Sequence, residues 1–321
     1  VVGPGALAGT GALAGTVALV IPGREPVPIV NSQYLARLAA RSHAVGSVLC
    51  VGIDPTPEAL PAGFPGGLAG VERFASLIVE ATAPFAAAMK PNLAFFEAFG
   101  SPGLAALERV RAAIPAGVPV IADAKRGDVE TTVARQAVAI FDALGVDAVT
   151  ASPYLGLRAL APFLARDGGF TYVLCRTSNP AAGELQDLVV TPDVERGFPA
   201  EQLHRRVARL VAAAGLGDRA GLVVGATAPA ELAGLRALVP GLAFLVPGVG
   251  AQGGEAADVL AHGSATHEPA GVGPGGGLLV NVSRGIAGAA LGQPSDGRSQ
   301  DVGERLAEAA RGWAARLPVL R

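Results

Sequence analysis

From Asn31 onward, eight short apolar segments rich in β-branched residues alternate with stretches whose apolar residues recur at helical period. The strand-like segments are Val48–Asp54, Ala87–Leu93, Val118–Lys125, Ala148–Pro153, Thr171–Ser178, Gly221–Thr227, Ala243–Val249 and Leu278–Arg284. Between them, Val71–Ala88, Gly103–Ile114, Thr132–Leu144, Glu201–Ala214 and Ala230–Leu238 carry the helical pattern. Strands that read as continuous apolar runs are buried on both faces, as in a parallel sheet covered by helices. Eight such repeats predict an α/β fold, a single (β/α)8 barrel with parallel strands. Ser32–Arg41 predicts an amphipathic helix that plugs the barrel base. Asp301–Leu317, which holds the only tryptophan, Trp313, predicts the closing helix. A chain of 321 residues, half of them apolar, has the material for this core in one domain, residues 31–321.

Two segments stand outside that pattern. Ala6–Ile21 is apolar but interrupted by Gly9, Thr10, Gly11, Gly15 and Thr16, and no basic residue precedes Arg24. A secretory leader needs a basic start, and a spanning helix needs about 20 apolar residues. Residues 1–30 are therefore expected to be a poorly ordered extension. The Gly/Pro-rich stretch Gly263–Gly277 is expected to be a solvated loop between the seventh helix and the eighth strand, on the N-terminal face.

Charge enters the third strand abruptly. Val118 to Ala122 is apolar, and then Asp123, Lys125 and Asp128 follow, with Gly127 allowing the backbone to turn. Alternation along a strand puts Asp123 and Lys125 on one face. Such a pair is costly to bury unless the charges are matched or used. Of 25 basic residues only two, Lys90 and Lys125, are lysines, and both close apolar runs. A lysine presents a compact charge and can exchange its proton near neutrality when its pKa is lowered, which Arg cannot do. Both lysines are read as chemistry.

In a (β/α)8 barrel the chemistry gathers at the C-terminal strand ends. Those ends offer Asp54, Lys90, Asp123 with Lys125 and Asp128, Ser152, Ser178 and Asn179, Thr227, Gln252 and Arg284. Asp54 and Lys90 would complete an alternating Lys-Asp-Lys-Asp set that holds its charges by mutual pairing. Gly248, Gly250 and Gly253 spell G-x-G-x-x-G, but after the seventh strand rather than in a first βαβ unit, and without the acidic residue about 20 positions on that dinucleotide binding requires. The stretch fits a phosphate cradle, with Arg284 supplying a bidentate charge. This makes the barrel one of the phosphate-binding type.

Net charge is −2 with no basic block, which argues against a nucleic-acid surface. Cys50 and Cys175 lie inside apolar runs and read as buried reduced thiols of a cytoplasmic protein. The four histidines are scattered, none ends a strand, and His262 with His267 makes no convincing metal pair.

As a set, the motifs resemble the orotidine 5'-phosphate decarboxylase family, in its mycobacterial-type (type 2) branch. They are Val51-Gly-Ile-Asp-Pro55, Lys90-Pro-Asn-Leu-Ala-Phe-Phe-Glu97, Asp123-Ala-Lys-Arg-Gly-Asp128, Ser152-Pro-Tyr-Leu-Gly156, Cys175-Arg-Thr-Ser-Asn-Pro180, Pro247-Gly-Val-Gly-Ala-Gln-Gly-Gly254 and Asn281-Val-Ser-Arg-Gly285. The resemblance implies decarboxylation of orotidine monophosphate to UMP and carbon dioxide in pyrimidine synthesis, with no metal or organic cofactor. It implies that Lys125 protonates a carbanion at C6, that Asp123 lies against the substrate carboxylate, and that Lys90 pairs with Asp123 and the ribose region. Asp54 would bond the ribose, Ser152 the pyrimidine amide edge, and Gln252 and Arg284 the phosphate. Asp128 and Thr132 would enter the neighbouring subunit's site, making a homodimer.

Two alternatives stay open at this point. Metal-dependent sugar-phosphate decarboxylases and aldolases of the same superfamily share Asp-x-Lys-x-x-Asp. They place a magnesium-binding carboxylate where this chain has Lys90, whose ammonium would repel the metal. A noncatalytic phosphate-binding barrel would have no use for the paired acid and base.

Overall fold

The computed structural model describes residues 17–19, 27–29, 33–267, 276–291 and 301–319. Eight strands form its centre: β1 Leu49–Ile53, β2 Ala88–Pro91, β3 Ile121–Arg126, β4 Ala148–Ala151, β5 Phe170–Leu174, β6 Ala220–Val223, β7 Ala243–Pro247 and β8 Leu278–Val282. They pair in the order β2-β1-β8-β7-β6-β5-β4-β3, every pair parallel. The ring closes between β2 and β3, where Met89 meets Val120 and Asn92 meets Asp123. These two bridges bring the edges of the eight-stranded sheet together and nearly close it. Each strand overlaps a segment expected from the sequence, because burial on both faces is what made those runs continuously apolar.

Two apolar layers hold the barrel. Inside, Cys50, Ala88, Ile121, Ala148, Tyr172 and Leu279 belong to one buried cluster with Tyr34, Leu35 and Leu38. Those last three come from the helix Tyr34–Val45, so the expected base plug is present. The Tyr34 ring stacks on Phe170 with centroids 4.8 Å apart, and its hydroxyl lies 3.2 Å from that of Tyr172. Arg41 pins the plug by donating to the carbonyls of Ala86 (3.0 Å) and Ala83 (2.6 Å). Full burial of Leu35 and Leu38 contributes about 1.5–3 kcal/mol each.

The outer layer packs the other faces of the strands under the helices Gly67–Thr82, Gly100–Ala113, Glu130–Ala137, Leu203–Ala213, Pro229–Leu238, Ala256–Gly263 and Val302–Arg316. The helix begun at Glu130 continues as a π-helical turn over Val138–Ala143. Trp313 of the closing helix donates from Nε1 to the Gly285 carbonyl at 3.2 Å. Added Cβ atoms on Gly250 and Gly285 would both come within 3.0 Å of its ring. The closing helix therefore buttresses both loops of the expected phosphate cradle.

After β5 the chain leaves the simple repeat. It makes short helical turns over Pro180–Ala182 and Gly183–Gln186, and a two-residue antiparallel pair joins Val189–Val190 to Glu201–Gln202. This excursion has no sustained period, so nothing in the sequence announced it. Within residues 1–30, Val17–Leu19 pairs antiparallel with Val27–Ile29, and the remainder lies outside the described residues. Of the stretch 263–277, residues 268–275 lie outside them too. Among the described residues no helix is long and apolar enough to cross a membrane.

Candidate active site

A cavity of ≈ 460 Å³ opens at the C-terminal ends of the strands, and Asp54, Lys90, Asp123, Lys125, Gln252 and Arg284 all line it. Its charged centre is Asp123, only 9% exposed. Lys90, on the neighbouring β2, donates from Nζ to Asp123 Oδ2. Lys125 Nζ donates to Oδ1 at 2.5 Å, and the Thr150 hydroxyl of β4 donates to the same oxygen at 3.0 Å. Burial alone would raise the Asp123 carboxyl, but the ammoniums of Lys90 and Lys125 and their hydrogen bonds outweigh it and hold the group well below the usual carboxylate range. Burial likewise acts to lower Lys90, and the charges of Asp123 and Asp54 overcome it, so the ammonium is held above its ordinary value.

The two lysines differ in access. Lys90 is 3% exposed, whereas the Lys125 side chain is 53% exposed and faces the cavity. Lys90 sits opposite Gly52 in the β1–β2 register. A Cβ on Gly52 would come within 2.7 Å of Ser283 Cβ and 3.2 Å of Asn281 Oδ1, so the missing side chain keeps the floor open.

Lys125 reaches Asp123 by a different route from the one strand alternation predicts. The β3–β4 register shifts between Ala122 and Arg126. Lys125 itself adopts φ 47°, the one positive φ at a non-glycine position among the described residues. Such a conformation costs on the order of 1–3 kcal/mol and clusters at functional sites. The pair therefore meets through a bulge, not through a regular pleat.

Two acceptors in the cavity wall have no partner: Asp54 Oδ1 and Asn281 Oδ1 are buried without a hydrogen bond. Buried orphaned acceptors call for a donor, and a bound polar ligand is one source. After β7, Gly248, Gly250 and Gly253 take φ of 99°, 75° and 89°, conformations that disfavour any other residue. This turn places Gln252, whose Oε1 accepts from Ser178 Oγ at 2.9 Å, in the same cavity wall as Arg284. Among the described residues no carboxylate lies within ion-pair distance of Arg284.

Three expected site residues are not in this cavity. Asp128 Oδ1 accepts from the Val129 amide at 2.6 Å, Thr132 follows in the first turn of the helix, and Ser152 Oγ accepts from the Tyr154 amide at 3.4 Å. Beside them Val129, Tyr154 and Leu155 are exposed, at 55%, 77% and 51%. Reading strand ends also missed Thr150 and Asn281, which line the cavity from within the apolar runs of β4 and β8. A lone polar residue at an inward position of such a run was the available signal. Both cysteines are buried and unpaired, and burial pushes each thiol up to about 12. Among the described residues no three His, Cys, Asp or Glu side chains gather where they could hold a metal ion.

Comparison with known proteins shows the family to which the chain belongs. A family model described as "Orotidine 5'-phosphate decarboxylase / HUMPS family" matches residues 47–295. The orotidine 5'-phosphate decarboxylase of Herpetosiphon aurantiacus is 43% identical over 254 residues, covering 79% of this chain and 88% of that protein. That of Thermomicrobium roseum is 42% identical over 284 residues, covering 88% and 92%. The solved OMP decarboxylase of Leishmania donovani superposes with TM-score 0.70 at 36% identity, over 88% of this chain and 96% of the other. A solved chain from Toxoplasma gondii reaches TM-score 0.75 at 36% identity, over 88% and 94%.

Proposed function

Because the chain belongs to the orotidine 5'-phosphate decarboxylase family, we propose that this cavity binds orotidine 5'-monophosphate and converts it to UMP and carbon dioxide without a cofactor. The protein is a carboxy-lyase on a (β/α)8 barrel. The observation that carries the mechanism is one buried carboxylate, Asp123, held ionised between two ammoniums of unequal access.

In this reading the bond between C6 of the pyrimidine and its carboxylate breaks, its electron pair stays on C6, and carbon dioxide departs. Lys125 Nζ delivers a proton to C6 and is reprotonated from water. An ammonium has three N–H donors, and the bond to Asp123 leaves others for the substrate. Beside a developing carbanion, that positive charge, held in place by Asp123, stabilises the transition state more than the ground state. Asp123 aims the Lys125 ammonium, and Lys90 keeps Asp123 ionised.

Asp54 takes a ribose hydroxyl, which would satisfy its orphaned oxygen. Gln252 and Arg284 hold the phosphate, Arg284 as a bidentate donor. Ser152 lies outside the cavity with its hydroxyl on the Tyr154 amide, so it meets the pyrimidine amide edge only if the Ser152–Tyr154 turn moves inward when substrate binds. Asp128 and Thr132 serve the site of a second subunit in a homodimer. Their position outside their own chain's cavity, beside exposed Val129, Tyr154 and Leu155, supports that assignment. Nucleic acid has no part in this reading, and two unpaired buried thiols agree with a reducing, cytoplasmic setting.

The test is turnover of orotidine monophosphate in the presence of EDTA, with Lys125→Ala alongside. Turnover should survive the chelator, and Lys125→Ala should lose turnover while still binding UMP. Turnover that EDTA abolishes and magnesium restores, or near-normal turnover by Lys125→Ala, would overturn the mechanism.

A further inference from the structure

The bulge that carries Lys125 leaves two backbone amides in need of partners. From Ala122 to Arg126 the third strand takes four steps, while its neighbour takes two, from Val149 to Ala151. The amides of Ala124 and Lys125 fall inside this mismatch, where the regular ladder offers no facing carbonyl. Both donate instead to one side-chain oxygen, Thr150 Oγ1, at 3.1 and 3.0 Å. The same hydroxyl donates to Asp123 Oδ1 at 3.0 Å.

A hydroxyl has one donor and two acceptor sites. All three of Thr150's are occupied, and all three bonds end on the Asp123-Ala124-Lys125 segment. Thr150 is 2% exposed, so water does not stand in for it. Although it borders the cavity, its hydroxyl has no capacity left for a substrate atom. It therefore serves the groups beside it rather than a ligand.

We propose that Thr150 is a positioning residue for the decarboxylation, holding Lys125 in its left-handed backbone conformation and fixing the Asp123 carboxylate against it. The proposal rests on the reading of Lys125 as proton donor. Thr150 acts through Lys125 and Asp123 and touches no reacting atom. Without the hydroxyl, the two amides lose their acceptor and the left-handed conformation loses the bonds that offset its strain. Lys125 Nζ then leaves the reach of C6.

The experiment compares Thr150→Val, which keeps the shape and removes the hydroxyl, with Thr150→Ser, which keeps the hydroxyl. Thr150→Val should lower kcat by about 100-fold, the scale of a misplacement of about 1 Å at a reacting group, with UMP affinity unchanged. Thr150→Ser should restore kcat to near the wild-type level. A residue with a structural role alone would lower the melting temperature without this split between kcat and binding. Wild-type kcat in folded Thr150→Val, equal losses in Thr150→Val and Thr150→Ser, or a rise in KM alone would each overturn the proposal.

A second measurement does not depend on any variant folding. The chain has two lysines, so protein labelled with 15N-lysine shows two backbone amide signals. The Lys125 amide of the wild-type protein should be protected from hydrogen exchange, and free exchange there would refute the bond to Thr150. The parallel Lys125→Ala assay separates the two claims. An inactive Lys125→Ala beside a fully active Thr150→Val removes only the role of Thr150, whereas an active Lys125→Ala removes the proton-donor reading itself.

Discussion

Asp123→Ala tests whether the buried charge set stabilises the fold or only the reaction. The substitution leaves Lys90 Nζ, on a side chain 4% exposed, without the carboxylate it is bonded to. Breaking a buried pair from one side typically costs about 3–5 kcal/mol, because a charge is left unmatched away from water. Two features of this site put the expectation at the lower end. Asp54 remains near enough to act on Lys90, and the Lys125 side chain, half in solvent, loses only about 0–1 kcal/mol. The predicted cost is about 3 kcal/mol. For a barrel of this size, that lowers the melting temperature by roughly 5 °C. Lys90→Met in the same background should recover most of the loss, since an apolar side chain of similar length in place of a buried pair is often neutral. The assay is thermal and denaturant unfolding of the wild type, both single variants and the double variant, read as a double-mutant cycle. An Asp123→Ala protein as stable as the wild type, or strictly additive losses, would refute the claim that this pair holds the site together.

The same charges determine the pH behaviour. The depressed Asp123 carboxyl contributes stability above the ordinary carboxylate value, about 3.9, and that is lost as pH falls through its lower folded value. The raised Lys90 contributes below about 10.4, and that is lost as pH rises through its higher folded value. The pair thus stays ionised in between, so kcat should carry no limb from it between about pH 5 and 9. The acid limb in kcat/KM should fall near 6, where the substrate phosphate passes from dianion to monoanion, and a neutral-range limb in kcat that Lys90→Met shifts would contradict this. Arg284→Ala should weaken binding of orotidine monophosphate by the worth of a charged hydrogen bond, about 1.5–3 kcal/mol, with little effect on orotidine lacking phosphate. Equal losses on both would assign Arg284 to structure. Lys90→Ala and Asp128→Ala should each be nearly inactive alone. Mixed equally and allowed to exchange subunits, they should regain about a quarter of the sites, since half of the dimers are mixed and each has one whole site. No recovery despite verified exchange would place Asp128 in its own subunit's site.

The barrel was legible in the chain because its determinants are local. A strand covered on both faces must be apolar throughout, and a crossover helix must carry one apolar stripe, so β1 to β8 could be marked within a few residues. Strand ends of such a barrel converge on one mouth, which is why Asp54, Lys90, Asp123, Lys125, Gln252 and Arg284 could be brought together from spacing alone. The excursion between Pro180 and Gln202 escaped because short turns and a two-residue pairing have no period to detect. Residues that act from inside the runs were hidden for a related reason: Asn281 and Thr150 look like ordinary strand residues until their neighbours are known. Lys125 illustrates the division most sharply. Alternation put it on the same face as Asp123, and the side chains do meet, but through a left-handed residue in a bulge. A bulge is a mismatch of count between two strands, and β3 and β4 are separated in the chain by a whole helix. Only when they lie side by side do two unmatched amides and one carboxylate find the Thr150 hydroxyl, so that geometry belongs to the tertiary structure.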